Sequence, residues 1–149
     1  MEPLDLTRQP PRSCYEELDG LMMMPRTIDK LRGFLPGGNP GDYFINGKIP
    51  GLSQFLLDRL GVALDDFQAV VARATSEDEI AVWLREHTDT SAYPALNATL
   101  RRIKPKHAHD PEYFAEIYAH TLELHPELEH IVDIIDADDR RVFRASAQR

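Results

Sequence analysis

The chain holds a single cysteine, Cys14, among its 149 residues. An intramolecular disulfide is therefore excluded, and a packed core has to supply the stability. That usage fits a reducing compartment. Long apolar runs are also missing: nothing approaches the roughly 18 residues that a membrane-spanning helix needs. The start, Met1-Glu2-Pro3-Leu4-Asp5, carries acid where a secretory signal carries base, and no apolar stretch follows it. The expected compartment is the cytoplasm, with no membrane contact. Long Val/Ile-rich strand runs are absent, which argues against an α/β fold. Aromatic residues are few. Trp83, Tyr15, Tyr93, Tyr113 and Tyr118 are scattered and form no platform on which bases stack.

Positive charge is in short supply. Lys and Arg number 17 against 25 Asp and Glu, for a net charge of −8. The deficit is concentrated late in the chain, where Asp110 to Asp139 holds ten acids and no Lys or Arg. Nucleic acids bind by exchanging counterions for cationic side chains, so no nucleic-acid partner is expected. The acidic stretch reads as a solvated, solubilising face. The length fits one domain, residues 1–149, and a chain of this size buries roughly 70% of its extended surface without staples.

What is present is helical periodicity, and it implies an all-α domain of about seven or eight short helices. Ser13 and Glu16 make a capping-box pattern for a first helix that Gly20 can end. Pro25 suits the first turn of a second, with Ile28, Leu31 and Leu35 on its buried face. Pro36-Gly37-Gly38-Asn39-Pro40-Gly41 is a dense breaker cluster. A small hairpin is open near 42–49. Leu52, Phe55, Leu56 and Leu60 define a third helix closed by Gly61, and Asp65 caps a fourth carrying Phe67, Val70, Val71 and Ala74. Ser76 with Glu79 opens a fifth that buries Ile80, Trp83 and Leu84. A sixth runs from Ser91 to about Ile103. Asp110-Pro111 starts a seventh carrying Phe114, Ile117, Tyr118, Thr121 and Leu122 inward. Glu127 to about Asp139 forms the last, with Ile131, Val132, Ile134 and Ile135, and residues 145–149 fray.

One segment stands out for chemistry. Arg26, Asp29 and Lys30 share one helical turn, opposite Ile28, Leu31 and Leu35. Arg12 can approach from the preceding segment, and Tyr43 and Asn46 from the loop that follows. A guanidinium, a carboxylate, an ammonium and a phenol in one place can hold an anionic metabolite. The plainer outcome is a structural network of ion pairs that locks the helix.

Other candidates are weaker. Glu116 and His120 stand at i, i+4 and can share a metal with a further histidine, His125 or His130. No diagnostic metal spacing accompanies them, and no resident metal or cofactor is expected. Cys14 sits near the expected start of a helix but has no base close in sequence. Asp136-Ala137-Asp138-Asp139 lacks the glycine and spaced ligands of a calcium loop, and reads as a helix end paired with Arg140 and Arg141. Met22-Met23-Met24 fills core, or covers an oligomer interface.

The order of short motifs adds a resemblance. Pro11-Arg12-Ser13, Leu18-Asp19-Gly20, Pro25-Arg26-Thr27-Ile28-Asp29-Lys30 and Gly41-Asp42-Tyr43 come first. Phe55-Leu56, Leu60-Gly61, Ser76-Glu77-Asp78-Glu79 with Trp83, and Ile135 to Arg140 follow. In order and spacing this resembles the bacterial family called domain of unknown function 5069, across roughly residues 4–141. The Gly47-Lys48 and Pro50-Gly51 region departs from a more compact pattern. The resemblance implies a small soluble bacterial protein and brings no activity, substrate or cofactor with it. The expected role is a small-ligand-binding or protein-interaction module, with Arg12, Arg26, Asp29, Lys30, Tyr43 and Asn46 as the binding residues. A metal-assisted enzyme using His120 and Glu116, or a structural subunit of a homo-oligomer, are the alternatives.

Overall fold

A computed structural model describes the backbone of residues 1–147 and the side chains of residues 1–144. Among the described residues, eight α-helices, two short 3-10 turns and one two-stranded hairpin make up the regular structure, so the fold is mostly α as expected. The chain divides into two compact units, Met1–Asn97 and Ala98–Arg149.

The first unit opens irregularly. No helix forms over residues 13–20. Instead β1 (Glu17–Leu18) pairs antiparallel with β2 (Leu21–Met22), with Leu18 opposite Leu21. The turn is Asp19-Gly20, with φ of 54° and 82°. Two left-handed residues make the tight turn that matches strand twist, and Asp-Gly is its favoured sequence. The Ser13–Glu16 box therefore caps nothing; the Ser13 hydroxyl accepts from the Tyr15 N–H at 3.1 Å in a local turn. Asn97 completes the hairpin from 75 residues away. Its Oδ1 accepts from the Met22 N–H at 2.9 Å, and its Nδ2 donates to the Gly20 carbonyl at 2.8 Å. A Cβ on Gly20 would meet nothing within 4 Å. Gly20→Ala should therefore cost about 1–2 kcal/mol from backbone strain alone. Urea melts check this, and an unchanged midpoint would contradict the turn.

The helix α1 (Met24–Gly33) follows, and it is shorter than the spacing of Leu35 implied. Gly33 is its last residue, and a side chain there would meet Leu6 Cδ1 at 3.0 Å and the Pro40 backbone at 3.1 Å, so glycine permits this close approach. Leu35 lies beyond, half-buried in the turn before the breaker cluster. That cluster is tied down by the N-terminal segment: the Leu6 N–H donates to the Asn39 carbonyl at 2.8 Å, and the Asn39 N–H to the Leu4 carbonyl at 2.9 Å. Residues 42–49 form no strand pair beyond a single bridge between Asn46 and Pro50.

The helix α2 (Leu52–Leu60) ends at Gly61 with φ of 72°, as expected. In α3 (Leu64–Arg73) the N-cap is Ala63 and has no side-chain bond. Asp65 thus sits in the first turn, where it favours the helix dipole, rather than capping it. In α4 (Glu77–His87) the Ser76 hydroxyl accepts from the Glu79 N–H, as expected. The Glu79 carboxylate turns instead to Thr75, at 2.9 Å from its N–H and 2.6 Å from its hydroxyl. A short 3-10 turn, Thr90–Ala92, leads into α5 (Tyr93–Arg102).

In the second unit the expected seventh helix is two. Asp110 caps α6 (Pro111–Ile117) by accepting from the Tyr113 N–H at 3.0 Å. Tyr118 leaves helical geometry, and α7 (Ala119–Leu124) resumes after it. Ile117 consequently points to solvent rather than inward, while Phe114 and Thr121 are buried. The last helix, α8 (Ile131–Ala147), starts later and runs further than expected. The 136–139 acids therefore lie in mid-helix, not at an end. Asp138 pairs with Arg141 at 3.0 Å and accepts from the buried Thr121 hydroxyl at 2.6 Å. The fraying expected over 145–149 is met by helical backbone to Ala147; residues 148 and 149 lie outside the described range.

Candidate functional site

The residues singled out for chemistry lie on and around α1. Its first turn is set by Met23, whose φ is 70° and whose N–H donates to the Cys14 carbonyl at 3.1 Å. A left-handed Met costs about 1–2 kcal/mol. Burying its side chain completely returns about 2 kcal/mol, which covers that cost. The Met23 carbonyl in turn accepts from both the N–H and the hydroxyl of Thr27, each at 2.9 Å. Ser53 on α2 bonds the same hydroxyl at 2.9 Å, so two buried polar groups satisfy each other between the helices. Met22, Met23 and Met24 are all fully buried, which removes them as an exposed interface patch.

From this start α1 is enclosed on all sides. Arg26 is 2% exposed, Asp29 5% and Lys30 8%, although Ile28 and Leu31 occupy the opposite face as expected. Arg12 and Asp29 meet directly. The Arg12 Nε donates to Asp29 Oδ2 at 3.0 Å and Nη2 to Oδ1 at 3.0 Å, a two-pronged pair. The Arg12 backbone N–H adds a third bond to Oδ2 at 2.9 Å. Glu77, at the start of α4, takes the rest of the guanidinium: Nη1 donates to Oε2 at 3.2 Å, and Nη2 donates to Oε1. Hydrogen bonding to Glu77 first, and then to Asp29, raises the Arg12 pKa above the ordinary arginine range against the pull of desolvation. Arg12 thus stays charged at any accessible pH and fastens the N-terminal segment to α1 and α4.

Arg26 joins the network from the other side. Its Nη1 donates to the Arg12 carbonyl at 3.2 Å, and its Cζ stands 5.6 Å from the centroid of the Tyr43 ring. The Lys30 Nζ donates to the Phe44 carbonyl at 3.1 Å and lies 6.0 Å from the Phe44 ring centroid. Both distances suit a cation over an aromatic face. Five of the six expected residues are therefore drawn together. Asn46 is the exception: it is exposed, and its described contact is the backbone bridge to Pro50. Two participants went unread. Glu77 was visible only as one acid in a capped first turn, and Phe44 takes part through its backbone carbonyl, for which side-chain patterns carry no signal.

The alternative metal residues fare differently. Glu116 and His120 are both exposed, and the break at Tyr118 interrupts the helical face they were expected to share. Among the described residues no three His, Cys, Asp or Glu side chains gather closely enough to hold a metal ion. The His107 ring accepts from the Lys104 N–H at 3.1 Å, and His125 meets Glu127 at 3.3 Å. Cys14 is buried, but no helix begins beside it, so the dipole invoked to activate it is missing. Among the described residues no helix is long and apolar enough to cross a membrane.

Residues 8–141 match the family described as Domain of unknown function (DUF5069), a span that contains the whole Arg12 network. The chain belongs to this family. A search of curated proteins found no match. The DUF5069 description names no reaction.

Proposed function

We propose that this chain is a binding module for a small anionic ligand, centred on Arg26 and Lys30. The observation that carries the reading is the burial of two cations on one turn of α1, with hydrogen bonds to the backbone carbonyls of Arg12 and Phe44. A carbonyl carries only a partial charge, and a carboxylate or phosphate oxygen in its place adds the attraction of a full opposite charge in a partly desolvated setting. Desolvation has already been imposed on both heads by the fold, so a ligand need not impose it again. Arg12 and Asp29 serve as the frame, since each is committed to the other.

Thermal melting against anionic metabolites and nucleotides tests this. A ligand at about 100 times its dissociation constant adds roughly 2.7 kcal/mol, which for this chain length is a rise of about 5–11 °C. Arg26→Ala should fold and melt cooperatively while losing that rise. If the variant keeps it, the site lies elsewhere. Failure of every ligand to shift the wild type would favour the protein-interaction reading, and partners would then be sought.

A further inference from the structure

We infer that residues 43–51 form a lid over the Arg26–Lys30 pair, and that a compact oxyanion enters by lifting it. The inference rests on the reading of that pair as the binding site. The segment is self-contained. The Gly51 N–H donates to the Ile45 carbonyl at 3.2 Å, the Gly47 N–H to the Ile49 carbonyl at 3.3 Å, and Asn46 bridges to Pro50. The Phe44 ring lies over both glycines: a Cβ at Gly47 would sit 3.4 Å from it, and one at Gly51 3.5 Å. A short loop whose ends meet and whose own side chain fills it behaves as one small body. Glycines flank it, Gly41 with φ of 56° before Tyr43 and Gly51 at the entry to α2. Two buried pegs, Ile45 and Ile49, hold it down.

Two of its attachments to α1 are of a kind that an anion can replace. The lid contributes the Phe44 carbonyl to Lys30 and the Tyr43 face to Arg26. At positions i and i+4 the two cations stand one turn apart, so one compact oxyanion can span them. When the lid lifts, the carbonyl and the ring leave together, because both belong to the same small body. The anion then takes the Nζ hydrogen bond that Phe44 held and the place of the Tyr43 ring beside the guanidinium. The closed lid therefore competes with the ligand, and apparent affinity is reduced by the fraction of molecules that are closed.

The test loosens the lid without touching either cation. Ile49→Ala removes one peg and Ile45→Ala the other; the second serves if the first does not fold. Hydrogen exchange over 43–51 and binding of inorganic phosphate and of succinate are measured for each, with Arg26→Ala as the blank. The expected result is faster exchange confined to 43–51 and affinity for one probe raised about three- to tenfold. Phosphate against succinate tells a phosphate ligand from a carboxylate. Faster exchange with unchanged or weaker binding overturns the lid and leaves the binding pair standing. Exchange that rises equally in the helices also overturns it. No binding of either probe by the wild type or the variants overturns both.

Discussion

Asp29→Ala should remove about 3 kcal/mol of stability, seen as a fall of roughly 6–12 °C in melting temperature. Three hydrogen bonds from Arg12 end on this carboxylate, at 2.9, 3.0 and 3.0 Å, and Arg32 adds a weaker approach at 3.9 Å. Deleting it leaves the Arg12 main-chain N–H without its acceptor and half of a guanidinium uncompensated. Fully buried pairs lose more on such truncation, up to about 5 kcal/mol. Here the Arg12 side chain is 34% exposed, and water moderates the loss. A double-mutant cycle with Arg12→Ala separates the pair from its surroundings, and the coupling should be about 1–3 kcal/mol. Melting within 2 °C of the wild type would mean that the network adds nothing, on the scale of about 2–4 °C per kcal/mol.

A larger loss is expected from Phe67→Ala, about 3–5 kcal/mol. The ring is fully buried on α3, and its centroid lies 6.0 Å from that of Trp83 on α4 at a tilt of 48°. Edge-tilted pairs at this distance contribute beyond their buried area. Trp83 also stacks on His87 with centroids 4.1 Å apart, so it bridges the α3–α4 contact to solvent. It is the sole tryptophan, which makes its emission a local reporter. In folded Phe67→Ala the emission should move to longer wavelength as water reaches the ring, together with the lowered urea midpoint. Phe67→Leu should recover most of the midpoint, because it keeps most of the volume. An unshifted emission with full stability would contradict this packing.

How far the sequence reveals this structure depends on where each signal resides. Helices announced by local chemistry were legible. Ser76 before α4, Asp110-Pro111 before α6 and Gly61 after α2 act within one turn of themselves. Misreadings came where two local patterns compete. Ser13-Cys14-Tyr15-Glu16 fits a capping box, yet Asp19-Gly20 fits a hairpin, and Asn97 decides between them from far along the chain. In the cluster, the pairing of Arg12 with an acid was legible as a possibility. Its second acid, Glu77, was not, since nothing within 60 residues of Arg12 points to it. Helix α1 also hid its depth. A polar face at 26, 29 and 30 normally means solvent, yet here these residues are interior, with Arg12, Tyr43 and Phe44 against them.

That same network carries a consequence for the order in which the chain folds. Its links are distant: Arg12 to Glu77 spans 65 residues, and Met22 to Asn97 spans 75. The bonds within the second unit are nearer, with Thr121 to Asp138 spanning 17 and Arg141 to Thr121 spanning 20. Closing a long loop costs entropy before any contact rewards it, and distant contacts slow folding. Nascent α6 to α8 can therefore consolidate on local contacts, while the first unit waits for α4 and α5 to return to the segment that begins the chain. The clasp at Arg12 belongs with these late closures, and the charged cluster is complete only once the chain as far as Glu77 has found its place.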